Sequence, residues 1–145
     1  MAGVRVEGGC SPLVRARRGL ARDRDLLPSF SMTEVAAPSL ALPTKAVARL
    51  ARELRRRYGD EVLDVRLFGS FARGEADEDS DVDVAVVLES ADWETRRNVI
   101  DLATDTGLAH DLLISPTVFD RATYETWRRQ ERALVLDIEA EGVSF

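Results

Sequence analysis

The feature that most restricts the fold is the stretch from Val62 to Leu88. "VLDVRLF" (62–68) and "DVDVAVVL" (81–88) both carry their apolar residues with a period of two, the signature of strands with a face in the core. A Gly-Ser pair, a short helix-compatible "FARG" and an acidic turn separate them. Upstream, Val47, Leu50, Leu54 and Tyr58 recur at helical spacing from Thr44, with arginines opposite and Gly59 as a stop signal. Downstream, Trp93, Arg96 or Arg97, Ile100 and Ala103 fall on one helical stripe, "HDLLIS" (110–115) reads as a third strand, and a helical tail runs past Pro116 to Gly142. The order helix, strand, strand, helix, strand, helix, helix predicts an α+β domain, a small mixed sheet with helices packed on one face.

The chemistry is concentrated between the first two strands. Gly69 and Ser70 follow a strand directly, where backbone N–H groups, a hydroxyl and a missing Cβ let a phosphate approach the main chain. Ten residues later come Asp81 and Asp83. Separated by one residue on a strand, they leave the same face about 7 Å apart, while Val82, Val84 and Val86 take the other. Hard oxygen ligands beside a phosphate cradle suit Mg²⁺ better than zinc. Two adjacent carboxylates repel, and a divalent cation reverses that logic. A two-metal phosphoryl-transfer site calls for a third carboxylate. Asp111, in the third strand-like run, is the candidate; Asp101 and Asp105 are spaced i and i+4 on a helix and read as solvated.

Length, composition and charge narrow the classes. A chain of 145 residues, 45% hydrophobic, supplies one core. The net charge of −6 lacks the basic face a nucleic-acid binder uses, so no direct nucleic-acid binding is expected. No apolar run approaches the roughly 18 residues that cross a bilayer, so no membrane association is expected. Cys10 is the only cysteine, and the cytoplasm is the expected compartment. Residues 1–43 are rich in Pro and Gly without sustained period and read as a disordered or loosely held arm, with Met32 a possible natural start and 44–145 the folded domain. The basic "RARRGLARDR" is interrupted by Asp23 and Asp25, against a nucleic-acid arm or transit peptide.

"GSFARGEADEDSDVD" resembles the signature of the DNA polymerase beta-like nucleotidyltransferase superfamily, and the ten-residue spacer and short chain resemble its minimal nucleotidyltransferase, antitoxin-type members. The match runs from about Thr44 to the closing "IEAEGVSF". That resemblance implies a polymerase beta-type fold in which Gly69 and Ser70 hold the triphosphate of ATP and Arg73, in the short helix, contacts the nucleotide. Asp81, Asp83 and, less directly, Asp111 would bind two Mg²⁺ ions. It implies transfer of AMP to a hydroxyl, and a partner of the HEPN ribonuclease toxin kind whose tyrosine is adenylylated. A homodimer or hetero-oligomer is compatible with it.

Plainer readings stand beside these. Glu75, Asp77, Glu78 and Asp79 read as solvated turn residues. An EF-hand register from Asp77, Asp79 or Asp81 finds no glycine at position six and no glutamate at position twelve. His110 would face away from Asp111 on a strand and reads as a core or edge residue, Trp93 and Trp127 as packing residues, and Arg73 could equally pair with Glu75 or Asp77. A toxin-binding module with a vestigial metal site is the alternative function, and a small-molecule nucleotidyltransferase a third.

Overall fold

The computed structural model describes residues 40–145. The first helix, α1 (Ala41–Tyr58), buries Pro43, Ala46, Val47, Leu50, Ala51 and Leu54, a stripe at the 3.6-residue period expected of a helix lying on a core. It begins three residues before the expected boundary at Thr44, because Pro43 is tolerated in a first turn, where its missing N–H has no intrahelical partner. Arg55, Arg56 and Arg57 occupy the last turn, where cations meet the negative end of the helix dipole. The arm assigned to residues 1–43 otherwise lies outside the described residues.

A 3₁₀ turn at Gly59–Glu61 leads into β1 (Val62–Phe68), followed by the four-residue α2 (Ser70–Arg73) and β2 (Val82–Leu88). Next come α3 (Trp93–Ala109), β3 (Ile114–Asp120), α4 (Arg121–Arg129), α5 (Ala133–Glu141) and the two-residue β4 (Val143–Ser144). The sheet order is β3-β2-β1-β4. The β1/β2 and β1/β4 pairs are antiparallel and β2/β3 is parallel, the crossover running through α3. The α+β class and the small mixed sheet hold.

Packing on one face does not hold. Val82, Val84, Val86 and Leu88 join a cluster with Val47, Leu50 and Leu54 of α1 and Val99 and Ala103 of α3. Ala85 and Val87 point the other way, into a second cluster with Phe68, Phe119 and Ile138, covered by Tyr124, Trp127 and Leu134. Every residue of β2 except Asp83 is buried. Trp127 stands edge-on to Phe119 at 5.5 Å and packs as expected. Trp93 does not: it is 71% exposed, with the Arg97 guanidinium 5.5 Å from its ring. The buried stripe of α3 is Val99, Ala103, Thr106 and Gly107, rotated from the one expected.

The third strand is also shifted. It starts at Ile114, runs through Pro116 and ends where Asp120 caps α4, its side chain accepting from Thr123 N at 2.7 Å. Pro116 is tolerated because β3 lies at the sheet edge. His110 is therefore no strand residue; it closes α3, with Nδ1 2.9 Å from Thr106 O.

Candidate active site

The centre of the site is the end of β1 set against the start of β2. Phe68 pairs with Asp83, so the chain leaving β1 turns at Gly69 directly over the Asp83 side chain. Gly69 has φ of 75°, and a Cβ there would overlap Asp83 Oδ2 while lying 3.2 Å from its Cγ. Only glycine lets carboxylate and main chain come this close. Ser70 follows at the head of α2, and its hydroxyl has no hydrogen-bond partner among the described residues. Asp81 lies one residue before β2 and is exposed; Asp83 is half-buried. Burial raises the Asp83 carboxyl above its ordinary 3.8, Asp81 raises it further, and Arg73 pulls it down. This ordering describes a carboxylate held beside a like charge with one cation in range, a place where a divalent cation lowers the energy.

Arg73 closes the other side. Its Nε donates to Glu75 at 2.8 Å and its Nη1 to Glu141 at 2.9 Å. Of the partners anticipated for it, Glu75 is found and Asp77 is not. Asp77 organises the acidic turn instead: its Oδ1 accepts from Ser80 Oγ at 2.8 Å and from Asp79 N at 3.1 Å.

Asp111 needs a correction. It sits outside any strand, in the turn after α3, with φ of 55°, and its N donates to Leu108 O at 3.3 Å. The residue beside Asp83 on β3 is Ser115. Asp111 lines a cavity of about 240 Å³ with Asp81, the acidic turn and the first turn of α1, and Asp83 is not among the lining residues. Among the described residues, no three His, Cys, Asp or Glu side chains are gathered closely enough to hold a metal ion by themselves. The reason lies in the register: with Ile114 opposite Val82, position 111 has already left the sheet. Mg²⁺ is commonly held by one or two carboxylates completed by substrate phosphates and water, and the Asp81 and Asp83 pair fits that mode.

Glu141 and Ser115 are the site neighbours that sequence reading passed over. For Glu141 the available signal was the closing "EGVSF", a carboxylate at a helix end before a glycine; for Ser115 it was the apolar spacing of Ile114, Val118 and Phe119 around Pro116.

A family model described as "Nucleotidyltransferase domain" matches residues 47–134. A putative protein adenylyltransferase from Methanocaldococcus jannaschii is 40% identical over 63 residues, covering 43% of this chain and 64% of the relative. A second from that organism is 34% identical over 74 residues, 51% of this chain and 70% of the relative. Protein adenylyltransferase MntA from Thermococcus cleftensis is 55% identical over 38 residues, 26% of this chain and 36% of the relative. The chain therefore spans less than two thirds of the length of two of these relatives. Among solved structures, a toxin-antitoxin complex with AMP-PNP aligns at 21% identity and a TM-score of 0.46, covering 66% of this chain and 69% of that one. A mutant MntA-HpeT toxin-antitoxin complex aligns at 20% identity and a TM-score of 0.45, over 68% and 70%. Among the described residues, no helix is long and apolar enough to cross a membrane.

Proposed function

The chain belongs to the nucleotidyltransferase domain family, and on that premise we propose that it moves AMP from ATP to a hydroxyl on a partner protein, with Mg²⁺ bound at Asp81 and Asp83. The observation that carries this reading is the Asp83 carboxylate lying against Gly69, which puts a metal-binding group and a phosphate-accessible turn at one point of the fold. Two of the related sequences are described as putative protein adenylyltransferases and one as protein adenylyltransferase MntA, which supports a protein acceptor. A toxin of the HEPN kind, with a tyrosine as the modified residue, is the partner the resemblance implies.

In this reading the acceptor oxygen attacks the α-phosphorus, the bond to the β-phosphate breaks, pyrophosphate leaves and the hydroxyl proton passes to solvent. Magnesium supplies charge neutralisation for the phosphates. The protein's own contribution is positional. The Gly69 and Ser70 turn seats phosphate oxygens through main-chain N–H groups and the Ser70 hydroxyl, and Arg73 adds a guanidinium held by Glu75 and Glu141. The pairing of Phe68 with Asp83 fixes where this turn stands against the Asp83 carboxylate.

A second reading has its own observation. No third acidic side chain joins Asp81 and Asp83 among the described residues, which suits a toxin-binding module with a vestigial metal site. Intact-mass spectrometry of the cognate toxin mixed with this protein, ATP and Mg²⁺ separates the two. Transfer adds the mass of one AMP to the toxin, and that adduct is the expected result. Complete neutralisation without an adduct assigns the protein to binding alone.

A further inference from the structure

Arg73 is where the C-terminal end of the chain reaches the candidate site. One of its carboxylate partners is local: Glu75 lies two residues on, with its side chain 65% exposed, a surface pair of the kind that contributes little. The other, Glu141, is distant in sequence and its side chain only 23% exposed. Glu141 ends α5, where a carboxylate opposes the helix dipole, so the helix loses stability there that the pairing with Arg73 offsets.

Its position is fixed from behind. A Cβ on Gly142 would overlap Ile138 O and stand 3.1 Å from Arg66 Cδ. Val143 and Ser144 then pair with Leu67 and Arg66, and Phe145 N donates to Val65 O at 2.9 Å. The carboxylate thus sits two residues before a strand paired to β1, and β1 itself ends at the Gly69 and Ser70 turn. A guanidinium is a rigid planar fork, so two carboxylates on Nε and Nη1 fix its plane. Nη2 is left with no acceptor among the described residues.

We infer that Glu141 is a positioning residue, holding Arg73 through Nη1 so that Nη2 meets an oxygen of the triphosphate beyond the α-phosphate. This rests on the nucleotidyltransferase reading above and extends it to a residue at the far end of the chain. Glu141 itself touches no nucleotide; it acts through the orientation of Arg73.

The test is calorimetric titration of the full chain with ATP and, separately, AMP in the presence of Mg²⁺. Glu141→Ala should weaken ATP about fivefold to tenfold, the order of one ordinary hydrogen bond, and leave AMP within about twofold. Glu141→Gln, which keeps an acceptor oxygen and the side-chain shape, should lose less and covers the case in which the alanine variant folds poorly. In an Arg73→Ala background, Glu141→Ala should cause no further loss. ATP binding that depends on Arg73 but is unchanged or tightened by Glu141→Ala overturns the positioning role alone, as do additive losses or a parallel loss of AMP. ATP affinity indifferent to Arg73→Ala and to Asp81→Asn with Asp83→Asn removes the nucleotide reading itself.

Discussion

Asp83 carries opposing demands in a single side chain: its backbone is a rung of the central strand, while its carboxyl sits half-buried beside Asp81 and against Gly69. Burial, then Asp81, raise its carboxyl above 3.8. The folded state therefore holds its proton more tightly than the unfolded chain. The stability this group contributes is full below 3.8 and is lost as pH rises through the raised value. Asp83→Asn should accordingly melt higher than the natural protein in metal-free buffer, by a margin that widens from acid to neutral pH. It should also lose most of the stabilisation that Mg²⁺ with ATP gives the natural protein. Thermal melts across that range, with and without Mg²⁺ and ATP, check both halves; a lower melting temperature at neutral pH would contradict the account of a strained carboxylate. That Asp83 would stand near the Gly69 turn was legible from residue types and spacing. Asp111 was misplaced because an apolar triplet, Leu112 to Ile114, looks the same whether it belongs to a strand or leads into one.

At the scale of elements, the junction of β3 and α4 is the clearest case of local chemistry setting a boundary. Asp120 accepts from Thr123 N at 2.7 Å and pairs with Arg96 at 2.9 Å, and Arg96 also donates to Ala91 O and Val118 O. One cap thereby joins the end of β3 and the start of α4 to the beginning of α3. Asp120→Ala should cost about 1–2 kcal/mol, the range of a good N-cap, read from denaturant unfolding. The bond from Thr123 N, with Arg96 assisting, holds the Asp120 carboxyl below 3.8. Its contribution is present above 3.8 and disappears as pH falls through the lowered value, so the difference between the variant and the natural protein should close in acid. This boundary could have been read from "DRATYETW", an Asp three residues ahead of Thr123 and followed by a helical period. Pro116 obscured it, since proline reads as a breaker until the strand containing it is known to lie at an edge.

For the whole molecule, burial on both faces of β2 makes the sheet the middle layer of the domain. The run "AVVL" (85–88) held the clue, because a strand with one wet face does not place Ala85 and Val87 opposite Val84 and Val86. A chain beginning at Met32 should melt cooperatively at the temperature of the full chain, since the described core starts at Pro43 and Ala46. Beginning at Thr44 removes the first turn of α1, the buried Pro43 and the carbonyl of Leu40 that takes Thr44 Oγ1 at 2.7 Å. That shorter chain should melt lower by several degrees, about what 1–2 kcal/mol produces in a domain of this size. Equal melting of all three chains would mean that α1 is anchored entirely from its middle. The pairing of β4 with β1 also bears on the order of folding. It joins segments far apart along the chain, and the Arg73–Glu141 contact spans 68 positions, so both carry a loop-closure cost that the closer β1/β2 pairing does not. The carboxylate pair can meet Gly69 once β1 and β2 pair, but the arginine beside it is gripped from both sides only after the longer loop has closed.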